Sequence, residues 1–136
     1  MKSDGGSSEA SGGDRPARDI VSRSYAFALR IIKLSVFLDE KPGVSRVLMP
    51  QILRAGTSVP SNVEEAQAAQ SKADFISKMS ISLKEARETN LRLRLLSDSG
   101  LVGDQQLQAL IQESDEIMRI LGAIIVSAKR GGTKRP

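Results

Sequence analysis

The apolar positions of this chain fall into four runs of helical spacing, separated by turn-forming residues. From about Arg18 to Asp39, the residues Ile20, Ser24, Phe27, Ile31, Leu34 and Leu38 recur at alternating steps of four and three. That spacing puts them on one face of a helix. Val21, Ala28, Ile32 and Val36 widen the stripe on its flank. Lys41-Pro42-Gly43 ends the run, because proline and glycine disfavour continuation.

The second run extends from Ser45 or Pro50 to Gln70, with Leu48, Ile52, Ala55, Val59, Asn62, Ala66 and Ala69 as its seam. Proline is best tolerated in a first turn, so Pro50 leaves the start of this helix open. Pro60 lies well inside. Its ring crowds the carbonyl four residues back, at Gly56, and a kink is expected there. Gly56 is expected to make room beneath Pro60, and Thr57 or Ser61 to bond carbonyls left without a donor.

Ser71-Lys72-Ala73-Asp74 has the form of a capping box, with Ser71 as the N-cap. The third helix then runs to about Ser97 with Ile76, Met79, Leu83, Ala86, Asn90 and Leu93 inward, and Ser97-Asp98-Ser99-Gly100 is turn chemistry. Asp104 suits the N-cap of a fourth helix reaching about Lys129. Leu107, Leu110, Ser114, Ile117, Leu121, Ile124 and Ala128 form its seam, and Ile111, Met118 and Ile125 a second stripe.

Four amphipathic helices joined by short loops predict an all-α fold, an antiparallel up-down-up-down four-helix bundle. The expected division is a Gly/Ser-rich tail over 1–17, the bundle over 18–130 and a basic tail over 131–136. The doubled stripes on the first and fourth helices suit either a broad core or a subunit contact.

Composition narrows the chemistry. The chain has 136 residues and 40% apolar content, but only 3% aromatic residues, so its core is aliphatic. It contains no cysteine and no histidine. That removes disulfides, thiolate metal sites, Ser-His-Asp chemistry, Glu-x-x-His di-metal sites and the histidine of HEPN-class helical ribonucleases. No Gly-rich phosphate loop is present. The expectation is a protein that is not an enzyme, with no catalytic residues, no metal and no cofactor. The N-terminus has no apolar signal core, and no stretch approaches the roughly 20 apolar residues of a membrane span. A cytoplasmic location is expected.

The net charge of +4 is unevenly placed. Basic residues concentrate on the first and third helices and beyond Lys129, while the fourth helix is acidic. Arg23, Arg30 and Lys33, then Arg87, Arg92 and Arg94, then Lys129, Arg130, Lys134 and Arg135 are the candidate contacts for nucleic-acid phosphates. The bland alternative is a set of solvated helix faces.

The run Gln51-Ile52-Leu53-Arg54-Ala55-Gly56-Thr57-Ser58-Val59-Pro60-Ser61-Asn62-Val63-Glu64-Glu65 carries a family resemblance. It is joined by Asp74-Phe75, Leu83 to Thr89, Leu93 to Leu96 and Ile117 to Ile125. Together they resemble the four-helix bundle family known as 23S rRNA-intervening-sequence proteins, which is related to the accessory variability determinants of diversity-generating retroelements. The resemblance spans about Asp19 to Lys129. It implies a homo-oligomeric ring, commonly a pentamer, and RNA, DNA or a reverse transcriptase as partners. Two departures stand out: Ala66 replaces the usual glycine, and Asn90-Leu91 replaces an aromatic pair. The second removes stacking groups and weakens the case for nucleic acid.

Arg54, Ser58, Asn62 and Glu65 share one side of the second helix, and Glu65 and Glu88 match acidic motif positions. Buried amides need partners. The expected role of Arg54, Asn62, Glu65, Glu88 and Asn90 is therefore a structural polar network that fixes helix register, rather than a carboxylate reaction centre. Two functions follow. One is a ring-forming bundle binding RNA or DNA through basic surfaces; the other is a protein-interaction scaffold without nucleic acid.

Overall fold

The computed structural model describes residues 15–39, 43–103 and 105–131. The expected tail through Asp14, the Lys41-Pro42 stop, the Asp104 cap and the basic end from Gly132 lie outside them.

Four helices and no strand make up the described residues: α1 (Arg15–Asp39), α2 (Val44–Gln67), α3 (Lys72–Asp98) and α4 (Gln105–Gly131). α1 packs on α2 and α4, and α3 likewise packs on α2 and α4, so the four helices close a circuit around one core. None is long and apolar enough to cross a membrane.

The α1 seam is buried at every expected position, from Ile20 through Ser24, Phe27, Ile31 and Leu34 to Leu38. Ser24 enters this apolar face because its hydroxyl donates to the Val21 carbonyl, 3.2 Å away. α1 also begins three residues earlier than the pattern indicated, with Pro16 in its first turn, where a missing N–H leaves nothing unpaired.

α2 starts at Val44, so Pro50 stands beyond its first turn. The start is anchored instead at Gly43, whose φ of 89° suits glycine. The Arg46 N–H donates to the Gly43 carbonyl at 3.0 Å, and the Arg46 guanidinium donates to the Asp39 carbonyl at 3.3 Å. α2 then continues through Pro60 as one helix. Thr57 and Ser58 bond the carbonyls of Leu53 and Arg54, at 2.8 and 2.7 Å. Gly56 has a role beyond the expected one. A Cβ there would stand 3.1 Å from both Ile31 Cγ1 and Cγ2, so its missing side chain admits α1.

Ser71 caps α3 as expected, accepting from the Asp74 N–H at 3.0 Å. The Asp74 carboxylate reaches back to the Gln70 N–H at 3.4 Å. The buried face of α3 is rotated from the expected one. Met79, Ala86, Asn90 and Leu93 are buried, but Ile76 and Leu83 only partly, and Ser82, Glu85, Thr89 and Leu96 join them. Among the α4 positions, Leu107, Leu110, Ser114, Ile117, Leu121 and Ile125 are buried.

Candidate functional site

Three polar assemblies link neighbouring helices. Between α3 and α4, the Asn90 amide donates to Ser114 Oγ at 2.8 Å, with longer contacts to Asp115 Oδ1 and the Ile111 carbonyl. The Ser114 hydroxyl in turn donates to the Ile111 carbonyl at 2.7 Å. Asn90 Oδ1 accepts from Arg94 Nε, also at 2.7 Å. Both ends of this buried amide are therefore satisfied, which a core amide requires.

Between α2 and α3, the Arg54 guanidinium reaches Glu85 at 3.5 Å and Glu88 at 3.4 Å. Glu88 also takes Arg92 at 3.3 Å, and Arg92 donates to Gln51 Oε1 at 3.1 Å. The Arg92 hydrogen bond holds the Glu88 carboxyl below the usual carboxylate range, with Lys84 and Arg54 adding to the effect. Deeper in the same contact, Ser82 Oγ donates to the Val59 carbonyl at 2.8 Å, beside Pro60. That bond is buried and joins the two helices directly.

Between α1 and α4, Arg23 makes a forked pair with Glu113, at 2.7 and 3.0 Å, and reaches Glu116 at 3.2 Å. The Glu113 hydrogen bond raises the Arg23 pKa further above its ordinary value.

The expected network thus divides. Arg54 and Glu88 meet across α2 and α3, and Asn90 joins α3 to α4. Among the described residues, Asn62 donates only to the Ser58 carbonyl of its own helix, at 2.9 Å. Glu65 is exposed, and its carboxylate has no partner among the described residues. Among those residues, no group of three or more carboxylates is arranged to hold a metal ion.

The candidate cations divide as well. Arg23, Arg92 and Arg94 are engaged as described. Arg30, Lys33, Arg87, Lys129 and Arg130 form no ion pair among the described residues, and Lys33, Arg87, Lys129 and Arg130 are exposed. Lys134 and Arg135 lie outside the described residues.

Sequence reasoning missed Ser82, Glu85, Thr89 and Gln51, and it placed Ile32 and Val36 on the flank of the core. Ser82 and Thr89 had a signal: Met79, Ser82, Ala86, Thr89, Leu93 and Leu96 step by three and four. Their hydroxyls bury without loss, Thr89 on the Glu85 carbonyl at 2.8 Å and Ser82 on Val59. Ile32 and Val36 belong to a second stripe. Tyr25, Leu29, Ile32 and Val36 follow one another by four, three and four residues and are 57, 46, 42 and 63% exposed. This apolar face of α1 is open to solvent in a single copy.

The comparisons agree with this architecture. The family model for 23S rRNA-intervening sequence protein matches residues 17–123. The chain is similar in structure to a protein of unknown function from the S23 ribosomal protein family of Bacteroides thetaiotaomicron. The two share 40% identity at a TM-score of 0.74, over 82% of this chain and 98% of that one. No curated protein matches. The match covers most of the chain and includes the Gly56, Pro60 and Asn90 positions just described: this chain belongs to the 23S rRNA-intervening sequence protein family.

Proposed function

We propose that this chain is a non-enzymatic, self-assembling four-helix bundle whose copies join through the outer face of α1. The observation that carries the reading is the Tyr25–Leu29–Ile32–Val36 stripe. Four large apolar side chains at heptad steps form the kind of face that packs against another helix. The helices are taken in up-down-up-down order, which the closed circuit of contacts and the short connections support. The lack of histidine and cysteine removes the commonest acid–base and nucleophilic groups, in keeping with an interaction protein. The test is light scattering on the wild type and on Ile32→Glu. An assembly for the first and a folded monomer for the second support the reading, and equal masses oppose it.

A second reading, backbone-directed binding of RNA or DNA, draws on the cations left without ion pairs. Arg30, Lys33, Arg87, Lys129 and Arg130 would be its contacts, with Lys134 and Arg135 beyond. Such binding weakens steeply with salt. Aromatic residues are too few for a stacking platform. A fluorescence titration of structured RNA at two salt concentrations tests it. Salt-sensitive binding that falls in Lys129→Ala/Arg130→Ala supports this reading, and no binding at low salt removes it.

A further inference from the structure

The circuit of four helices is not closed alike at its four edges. α1 and α2, α2 and α3, and α3 and α4 are consecutive in the chain and joined by short connections. α1 and α4 are the first and last helices, so only their side chains hold that edge together. Their contact is also the least extensive of the four. The contact between α2 and α3, on the far side of the circuit, is the most extensive.

The edges also differ in what bridges them. α2 and α3 share the buried bond from Ser82 Oγ to the Val59 carbonyl. α3 and α4 share the buried bond from Asn90 to Ser114. α1 and α2 meet where Ile31 lies over Gly56. α1 and α4 are bridged by the fork of Arg23 with Glu113 and Glu116, whose side chains are 34, 21 and 47% exposed. An ion pair this open to water is weak and is screened by salt. One turn from the fork, Ile20 and Phe27 of α1 and Ile117 of α4 are buried. Further along α4, Ile120 and Ile124 are only partly so.

We infer that the α1–α4 edge is where the bundle opens, with Arg23 as its latch: α1 leaves α4 while α2 and α3 stay together as the spine. Separation at this edge uncovers the least surface and stretches no connection, so it is the cheapest partial opening of the fold. It bares the apolar strips around Ile20, Phe27 and Ile117, and it leaves the Ser82 and Asn90 bonds intact. Ionic strength controls the latch, because salt screens charges at the surface far more than it affects buried bonds. The inference does not depend on how copies of the chain assemble.

Because the chain has no cysteine, one introduced thiol reports opening without background. Ser24→Cys on α1, next to Arg23, and Ala86→Cys on α3 each replace a small, fully buried side chain. Labelling by a thiol reagent under native conditions is expected to be faster at position 24 than at position 86. Adding Arg23→Gln is expected to raise the rate at position 24 about two- to fivefold, the worth of a partly exposed ion pair, and to leave position 86 unchanged. High salt is expected to speed position 24 when Arg23 is present and not in Arg23→Gln. Equal rates at the two positions, or a rise at both, would show that the bundle opens only as a whole and overturn the inference. A rate at position 24 that ignores Arg23→Gln also overturns it, since Arg23 is then no latch. Circular dichroism melting confirms that each variant is folded; if one is not, Ala28→Cys on α1 or Thr89→Cys on α3, also at buried positions, takes its place.

Discussion

At residue 56 a methyl group would be crowded, because the branched side chain of Ile31 lies 3.1 Å from where a Cβ would stand and would have to give by a few tenths of an ångström. Ile31 is fully buried, so it has little space to retreat. Gly56→Ala gains about 1 kcal/mol of helix propensity and meets an overpacking penalty of about 1–3 kcal/mol. A net loss of stability in urea unfolding is expected, with a smaller loss in an Ile31→Ala background. A more stable Gly56→Ala protein would show that α1 and α2 are not this close. Asn90 sets a second requirement. Asn90→Ala takes the acceptor from the exposed Arg94 and removes the donor to the buried Ser114, at an expected loss of about 1–3 kcal/mol. Because the two side chains share one hydrogen bond, Asn90→Ala/Ser114→Ala is expected to fall short of the sum of the single losses. Additive losses would count against a coupled network.

At the scale of the helices, α2 and α3 are joined by a polar contact that responds to acid. The folded state lowers the Glu88 pKa from its ordinary 4.5, chiefly through Arg92. A depressed carboxylate contributes stability above its unfolded pKa and loses that contribution as pH falls through the folded value. Wild-type stability is therefore expected to decline below pH 4.5 more steeply than that of Glu88→Gln, as read from melting temperatures across that range. Parallel curves would show that Glu88 adds nothing to the contact between α2 and α3. The elements themselves were legible to different degrees. α1 declared its buried face because five of the six seam residues are large and apolar, and only large apolar letters register in a periodicity. On α3 four of the six expected seam positions are buried, but one side of the face was missed, since Ser82 and Thr89 are buried with their hydroxyls on carbonyls and look polar on paper. The start of α2 was obscured by Pro50, because the hydrogen bonds around Gly43 and Arg46 that set it carry no periodic mark.

For the whole molecule, the sequence revealed four helices more readily than the neighbours of each. The motif around Gly56 and Pro60 looked like a local adjustment to proline. Its glycine proves to be a contact with another helix, which appears only once α1 and α2 are side by side. Arg23 looked like a free cation, and its forked pair with Glu113 required knowing that α1 lies against α4. Once such pairs are taken out, the described surface retains a shorter set of cations and the apolar stripe of α1. If another copy covers this stripe, native mass spectrometry of the full wild-type chain will show a single assembly at an integer multiple of 14.7 kDa; a folded species that stays at 14.7 kDa at every concentration would rule such a copy out.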